Sequence, residues 1–315
     1  MAARPLPHDS VLLIAYGGPT RASEIRPFLD NVLRGRRVPA SRYEEVVGQY
    51  EAVGGSSPIN DLTFRQAAAL RDVLEREGPA LPVYVGMRLW HPLLEETLAA
   101  MSSEGRRHAV GIILAPHPSQ ASREAYLEAI ARARERLGPA SPTVDCAPPF
   151  FERPSFIGAL EARARRALEE VPEGRRREAA VIYTAHSIPV AMSESSGYSD
   201  AVARTAELVS AALGVEDWTV AYQSRSGGPR ERWLEPDIGD ALRALRDRGR
   251  RDAVVVPIGF ICDHVEVLYD LDIRARAVAE RLGLGFRRAA TVGDHPAFAR
   301  MLAGRVRDVA ALPAT

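Results

Sequence analysis

Lysine is absent from the 315 residues, so all 41 basic side chains are arginine. A guanidinium stays protonated and cannot act as an amine nucleophile. Schiff-base aldolase and pyridoxal-phosphate chemistry are therefore excluded, as is a phosphate loop that needs its lysine. Cysteine is nearly absent: Cys146 and Cys262 lie far apart, too few for a four-cysteine iron–sulfur cluster and without the spacing of a structural zinc site. That usage suits a reducing compartment. Long apolar runs are missing too. The opening MAARPLPHDS has no apolar signal core, and Val11 to Ala15 is strand-sized, so a cytoplasmic protein is expected. There is no excess of either charge, with 41 acidic residues against 41 basic, and nothing draws the chain as a whole toward nucleic acid or anionic lipid.

What is present is an ordinary globular composition, 46% hydrophobic and 26% charged, at a length that suits two domains or one large α/β domain. Short β-branched runs alternate with helical spacing: Ser10 to Tyr16, Pro82 to Met87, Ala109 to Ala115, Ala179 to Thr184, Trp218 to Tyr222 and Asp252 to Ile258 read as strands. Thr63 to Glu77 and Ser122 to Leu137 read as helices, and Asp294-His295-Pro296 opens a last helix of about 15 residues. This is the pattern of a parallel α/β fold. The Pro-rich stretch Cys146 to Pro154 divides two halves of the same plan, which predicts lobes at 1–150 and 151–315. Ligands of such sheets sit beyond the carboxyl ends of the strands, which here end in YGGP, GMRLWHP, PHPSQ, AHSIP, QSRSGGP and GFICDH.

The common α/β signatures fail. Gly283 and Gly285 start a G-x-G, but Arg288 stands where a third glycine belongs and the segment reads as a turn. No G-x-S-x-G or H-E-x-x-H occurs. The informative segments are two. In AVVVPIGFICDHVEVLYDLD a buried strand runs into Asp263, His264, Glu266, Asp270 and Asp272. On a helix Glu266 and Asp270 share a face, where like charges cost about 0.2–0.5 kcal/mol unless a cation or proton lies between them. An ordinary structural role competes: acids favour a helix N-terminus, and His264 suits a capping position. In VIYTAHSIPV, His186 ends a strand at a rigid bend, where neutral imidazole serves as base or metal ligand. Either alone fits a structural role; an imidazole and a carboxylate row at corresponding strand ends favour function. The glycines and arginines of LLIAYGGPTRASEIRPFLDNVLRGRR, among them Arg34, Arg36 and Arg37, say only that a first βα unit is present.

Taken in order, AYGGP, RGR, YEAVGGSSPIN, GMRLWHP, APH, TAHSIP, AYQSRSG, WLEPD and PIGFICDHVEVLYD resemble the ferrochelatase family from about Val11 to Leu302. The resemblance implies two Rossmann-like α/β lobes around a porphyrin cleft and the insertion of Fe²⁺ with release of two pyrrole protons. It places His186, Glu266 and Asp270 as catalytic residues, the first two also contacting the metal and Asp270 continuing the acidic row. Tyr16, Arg34, Ser57, Arg88 and Tyr126 are then the porphyrin-cleft candidates, arginine pairing with propionates. It implies no organic cofactor, and the two cysteines predict no iron–sulfur cluster. Cys262 lies near the proposed site but is expected to be an inert buried thiol. A monomer or weak dimer with at most peripheral membrane contact is expected, and no nucleic acid. Arg274 replaces an acid of some relatives, so an outer metal site is not expected. Leu33 and Gln49 stand where coproporphyrin-specific relatives often carry arginine, which leaves protoporphyrin IX and coproporphyrin III both open. A chelatase for another tetrapyrrole such as sirohydrochlorin, or a non-catalytic haem or metal carrier, are the alternatives.

Overall fold

Two parallel sheets with the same strand order organise the chain in the computed structural model, which describes residues 7–35, 37–227 and 231–311. The first contains β1 (Ser10–Ala15), β2 (Val83–Met87), β3 (His108–Ile113) and β4 (Thr143–Cys146) in the order β2-β1-β3-β4. The second contains β5 (Ala180–His186), β6 (Trp218–Gln223), β7 (Asp252–Val256) and β8 (Gly285–Arg288) in the order β6-β5-β7-β8. All pairings are parallel. The inner strands are continuously apolar because helices cover both faces, and Val11, Leu12, Leu13 and Ile14 are fully buried. One core cluster joins the sheets: Val11, Leu13 and Ile112 share it with Val181, Val254 and the helical Phe156, Leu160 and Phe298. The last helix, Pro296–Ala310, packs on both Ile59–Glu77 and Pro154–Glu169.

Three details differ from the sequence expectation. The edge strands β4 and β8 were not expected; each has four residues, and an edge strand shows little apolar periodicity, so Phe286 alone is buried in GFRR. Gly283, at φ +67°, does turn the chain, but a strand follows at once from Gly285. The segment after His264 is not one regular α-helix: a single turn, Val265–Val267, runs into a π-wound stretch, Leu268–Ala275. Such wider winding recurs where side chains are being re-aimed.

Topology locates the site. The chain leaves β1 for β2 on one side and then crosses to β3 on the other, so a crevice opens where β1 and β3 end, and likewise at β5 and β7. Tyr16 follows β1, His186 terminates β5, and residues 257–264 follow β7. Gly259 makes that last approach close. Its N–H donates to the Thr184 carbonyl at 3.0 Å, and a Cβ there would lie 2.7 Å from Ala185 Cα. Only glycine lets the strand β7 exit pass against the end of β5 and deliver Glu266 beside His186.

Candidate active site

His186 is held at both ends of its ring. Its Nδ1 donates to the Ser187 carbonyl at 2.5 Å, while Nε2 faces Glu266 Oε1 at 3.4 Å. The Tyr198 hydroxyl donates to the His186 carbonyl at 3.1 Å, fixing the backbone beneath the ring. The two side chains are 29% and 39% exposed, so they line an opening rather than a sealed interior. Burial alone would lower the His186 pKa, but the Glu266 carboxylate, the Ser187 carbonyl and Asp270 together raise it to about 8. Burial pushes Glu266 the other way from its imidazole neighbours, and His186 with His264 wins, holding its carboxyl well below the usual range. The pair therefore rests as imidazolium and carboxylate at neutral pH.

The helical segment is anchored by polar contacts. Gln223 Nε2 donates to the Glu266 carbonyl at 2.6 Å, and the Val267 N–H donates to His264 Nδ1 at 3.3 Å, so His264 does cap the turn as a structural role would have it. Asp270 is nearly buried. It accepts from the Ser224 hydroxyl at 2.5 Å and pairs with Arg274 at 3.0 Å. Burial, reinforced by Glu266, still raises its pKa above the ordinary value. A cation thus does lie beside the acidic row, and it is the chain's own Arg274. Asp263 and Asp272 both bind Arg288, at 3.0 and 2.7 Å, which takes them out of the site.

The first half packs against this segment. Val265, next to Glu266, packs against a cluster of Ile25, Phe28, Leu29, Val47 and Tyr50 that also takes in Tyr16 and Trp90. The electrostatic influence of Glu266 and of Tyr16 both reach the buried Tyr50 hydroxyl, whose pKa is raised mainly by burial. Tyr16 and Glu266 thus both lie within electrostatic reach of Tyr50. Arg88 lies over the rings of Tyr16 and Tyr126 at 5.3 and 5.2 Å, and its Nη1 is buried with no hydrogen-bond partner among the described residues. Ser57 is buried beside Gly18, the residue two after Tyr16; there a Cβ would lie 3.0 Å from the serine Cβ. Arg34 is exposed past the helix Ile25–Val32, donating to Asn31 Oδ1 at 2.6 Å, and no hydrogen bond or ion pair among the described residues joins it to Arg88 or His186. Arg36 lies outside the described residues.

Sequence reasoning missed Ser224, Gln223 and Tyr198. Their signal was faint: Gln223 and Ser224 are the polar residues at the end of β6, next to the strand that ends in His186. Ser224 stands at φ +61°, a left-handed conformation that a non-glycine residue rarely adopts outside constrained sites. Cys262 is buried, its thiol pushed up to about 12 by burial, with Gln66 Nε2 at 3.2 Å from Sγ, as suits an inert thiol.

Two like-ordered parallel sheets, with an imidazole and an aromatic side chain at the carboxyl ends of their strands and a carboxylate beside the imidazole, define a chelatase-type α/β protein. The sirohydrochlorin chelatase SirB of Bacillus subtilis subspecies spizizenii, solved with cobalt, shares this fold at TM-score 0.55 and 15% identity, covering 96% of each chain. SirB from Bacillus subtilis with Fe³⁺ does so at TM-score 0.59 and 16% identity, covering 96% of this chain and 95% of that one. The chain belongs to the ferrochelatase family, which it matches over residues 8–310. It is 42% identical over 308 residues to a coproporphyrin III ferrochelatase of Nocardia farcinica, covering 95% of this chain and 88% of that one. It is 37% identical to a ferrochelatase of Rhodopirellula baltica, covering 96% of this chain and 86% of that one. It is accordingly an enzyme of haem biosynthesis that inserts iron into a porphyrin. No helix among the described residues is long and apolar enough to cross a membrane.

Proposed function

We propose that the chain inserts Fe²⁺ into coproporphyrin III, with residues 1–150 and 151–315 as the lobes flanking the macrocycle and His186 and Glu266 as the catalytic pair. The observation that carries this reading is the 3.4 Å approach of His186 Nε2 to Glu266 Oε1. Insertion requires that two pyrrole protons leave as the metal enters. With Nδ1 committed to Ser187, Nε2 is the atom that accepts or releases a proton. Fe²⁺ approaching Glu266 weakens the hold of that carboxylate on the imidazolium, so the His186 proton leaves and the ring becomes a base as the metal arrives. Glu266 contacts the iron, and Asp270, buried and of raised pKa, passes protons outward.

Coproporphyrin III is supported by the names of relatives such as those of Nocardia farcinica and Mycobacterium avium, each 42% identical to this chain. The buried, unpartnered Nη1 of Arg88 offers a carboxylate a charge-assisted bond. Tyr16, Ser57, Tyr126 and Arg34 complete the porphyrin cleft. The enzyme works in the cytoplasm as a monomer or weak dimer, with no organic cofactor and no iron–sulfur cluster.

The test is anaerobic Fe²⁺ insertion into coproporphyrin III and protoporphyrin IX, followed by absorbance, with wild type beside His186→Ala. Faster turnover of coproporphyrin III, lost in the variant, is expected. Preference for protoporphyrin IX overturns the substrate, and near-normal turnover by His186→Ala overturns the catalytic pair. Stoichiometric haem binding with no turnover of either porphyrin overturns the enzyme in favour of a carrier.

A further inference from the structure

At the other end of the first sheet from Tyr16, three side chains distant in sequence converge. His8 precedes β1, His108 opens β3 and Asp145 lies on β4. His8 Nε2 and His108 Nε2 both point at the same carboxylate oxygen, Asp145 Oδ2, at 3.0 and 2.8 Å. The imidazole rings are tilted 34° to one another with centroids 4.2 Å apart. Since β1 is six residues long, this cluster is about 20 Å from the strand end that faces the cleft.

We infer that His8, His108 and Asp145 form a binding site for a divalent transition-metal ion of zinc type, separate from the site of iron insertion. Two imidazoles and a carboxylate are a ligand set that such ions favour. Bonds of about 2.0–2.1 Å meeting at 90–110° place neighbouring ligand atoms about 2.8–3.4 Å apart; both imidazole-to-carboxylate distances already lie in that range, and the three ligand atoms all lie within 4.8 Å of one another. Ligation requires Nε2 to present its lone pair, with the proton on Nδ1. Each Nε2 donates to the Asp145 carboxylate, so ligation moves that proton to Nδ1; His8 Nδ1, which is buried, makes no hydrogen bond among the described residues that would oppose this. Access exists on one side only. The His8 side chain is 1% exposed, but Asp145 is 34% exposed, leaving room for water to complete the coordination. The neighbouring Asp9 is committed elsewhere, accepting from the N–H groups of Arg107 and His108 and from the Ser10 hydroxyl. Bound metal would clamp the segment before β1 to the β3–β4 edge, which the strands alone join through a four-residue strand.

The experiment uses the full chain carrying His186→Ala, which removes the imidazole of the catalytic pair from competition for the metal and leaves Glu266 in place. After chelator treatment, this protein is expected to take up one equivalent of Co²⁺ with visible ligand-field bands, and Zn²⁺ is expected to displace it and raise Tm. Adding Asp145→Asn, or His108→Gln should the first variant fold poorly, is expected to weaken uptake at least tenfold. In an otherwise unaltered chain, Asp145→Asn is expected to insert iron at the wild-type rate. X-ray absorption of the zinc-loaded His186→Ala protein, which leaves the cluster intact, is expected to show two imidazoles in the first shell. Failure to take up stoichiometric Co²⁺, uptake unaffected by either added substitution, or a zinc shell without imidazole would each overturn the inference.

Discussion

The Ser187 carbonyl, 2.5 Å from His186 Nδ1, takes the proton on that side of the ring and leaves Nε2 as the atom directed at Glu266. One backbone oxygen thereby sets the tautomer of the imidazole, and the acid–base behaviour of the site follows from it.

The first prediction concerns pH. His186 is held above its ordinary value of 6.5, at about 8, chiefly because Glu266 outweighs burial. A raised histidine pKa stabilises the fold fully below 6.5, and that contribution is lost as pH rises through about 8. Activity has the opposite sign. If the neutral ring is the base, kcat/KM rises through the same pH range. In Glu266→Gln only the Ser187 carbonyl and Asp270 still oppose burial, so an NMR titration of His186 should show its midpoint falling from about 8. An unmoved midpoint would show that Glu266 does not set it.

His186→Ala should abolish iron insertion while porphyrin binding, followed by absorbance or fluorescence quenching, changes by less than about threefold. The substitution removes a proton-handling group and leaves the packed aromatic cluster of Tyr16, Phe28 and Trp90 in place.

Glu266→Gln should lower kcat strongly, by about a hundredfold or more, whereas Asp270→Asn should cost about tenfold or less. Asp270 is one step further from His186 and already shares its charge with Arg274 and Ser224. Equal tolerance of both, measured by steady-state insertion, would mean that the acids serve only the helix end.

Ser224 lies at φ +61° while its hydroxyl holds Asp270, so two substitutions separate strain from bonding. Ser224→Ala loses the hydrogen bond and keeps the strain; Ser224→Gly loses the bond but relieves about 1 kcal/mol of backbone cost. The glycine variant should therefore unfold at higher denaturant than the alanine variant, and both should raise the Asp270 pKa further. Equal stability would show the conformation to be unstrained.

Arg88→Leu should raise KM for the porphyrin at least about tenfold with kcat changed little, because a carboxylate contact away from the reacting nitrogens contributes equally to ground and transition states. A fall in kcat at unchanged KM would place Arg88 in the chemistry instead.

The fold class was legible because buried parallel strands are written as continuous apolar runs, and six of the eight strands stood out for that reason. The short edge strands β4 and β8 did not, since an edge needs few apolar residues. His186 and Glu266 were legible as residue types at strand ends, and the lack of lysine by itself excludes whole classes of chemistry.

What the sequence by itself determined was the alternation of strand and helix, the absence of an amine nucleophile and the identity of the acid and imidazole at two strand ends. Only the tertiary structure decided their pairing. The distance between His186 and Glu266 depends on Gly259 passing against Ala185, and the state of Asp270 depends on Ser224 and Arg274, one on another strand's exit and one on a π-wound turn. Proton affinities follow distance and burial, which are properties of the packed chain, and spacing along the chain carries neither.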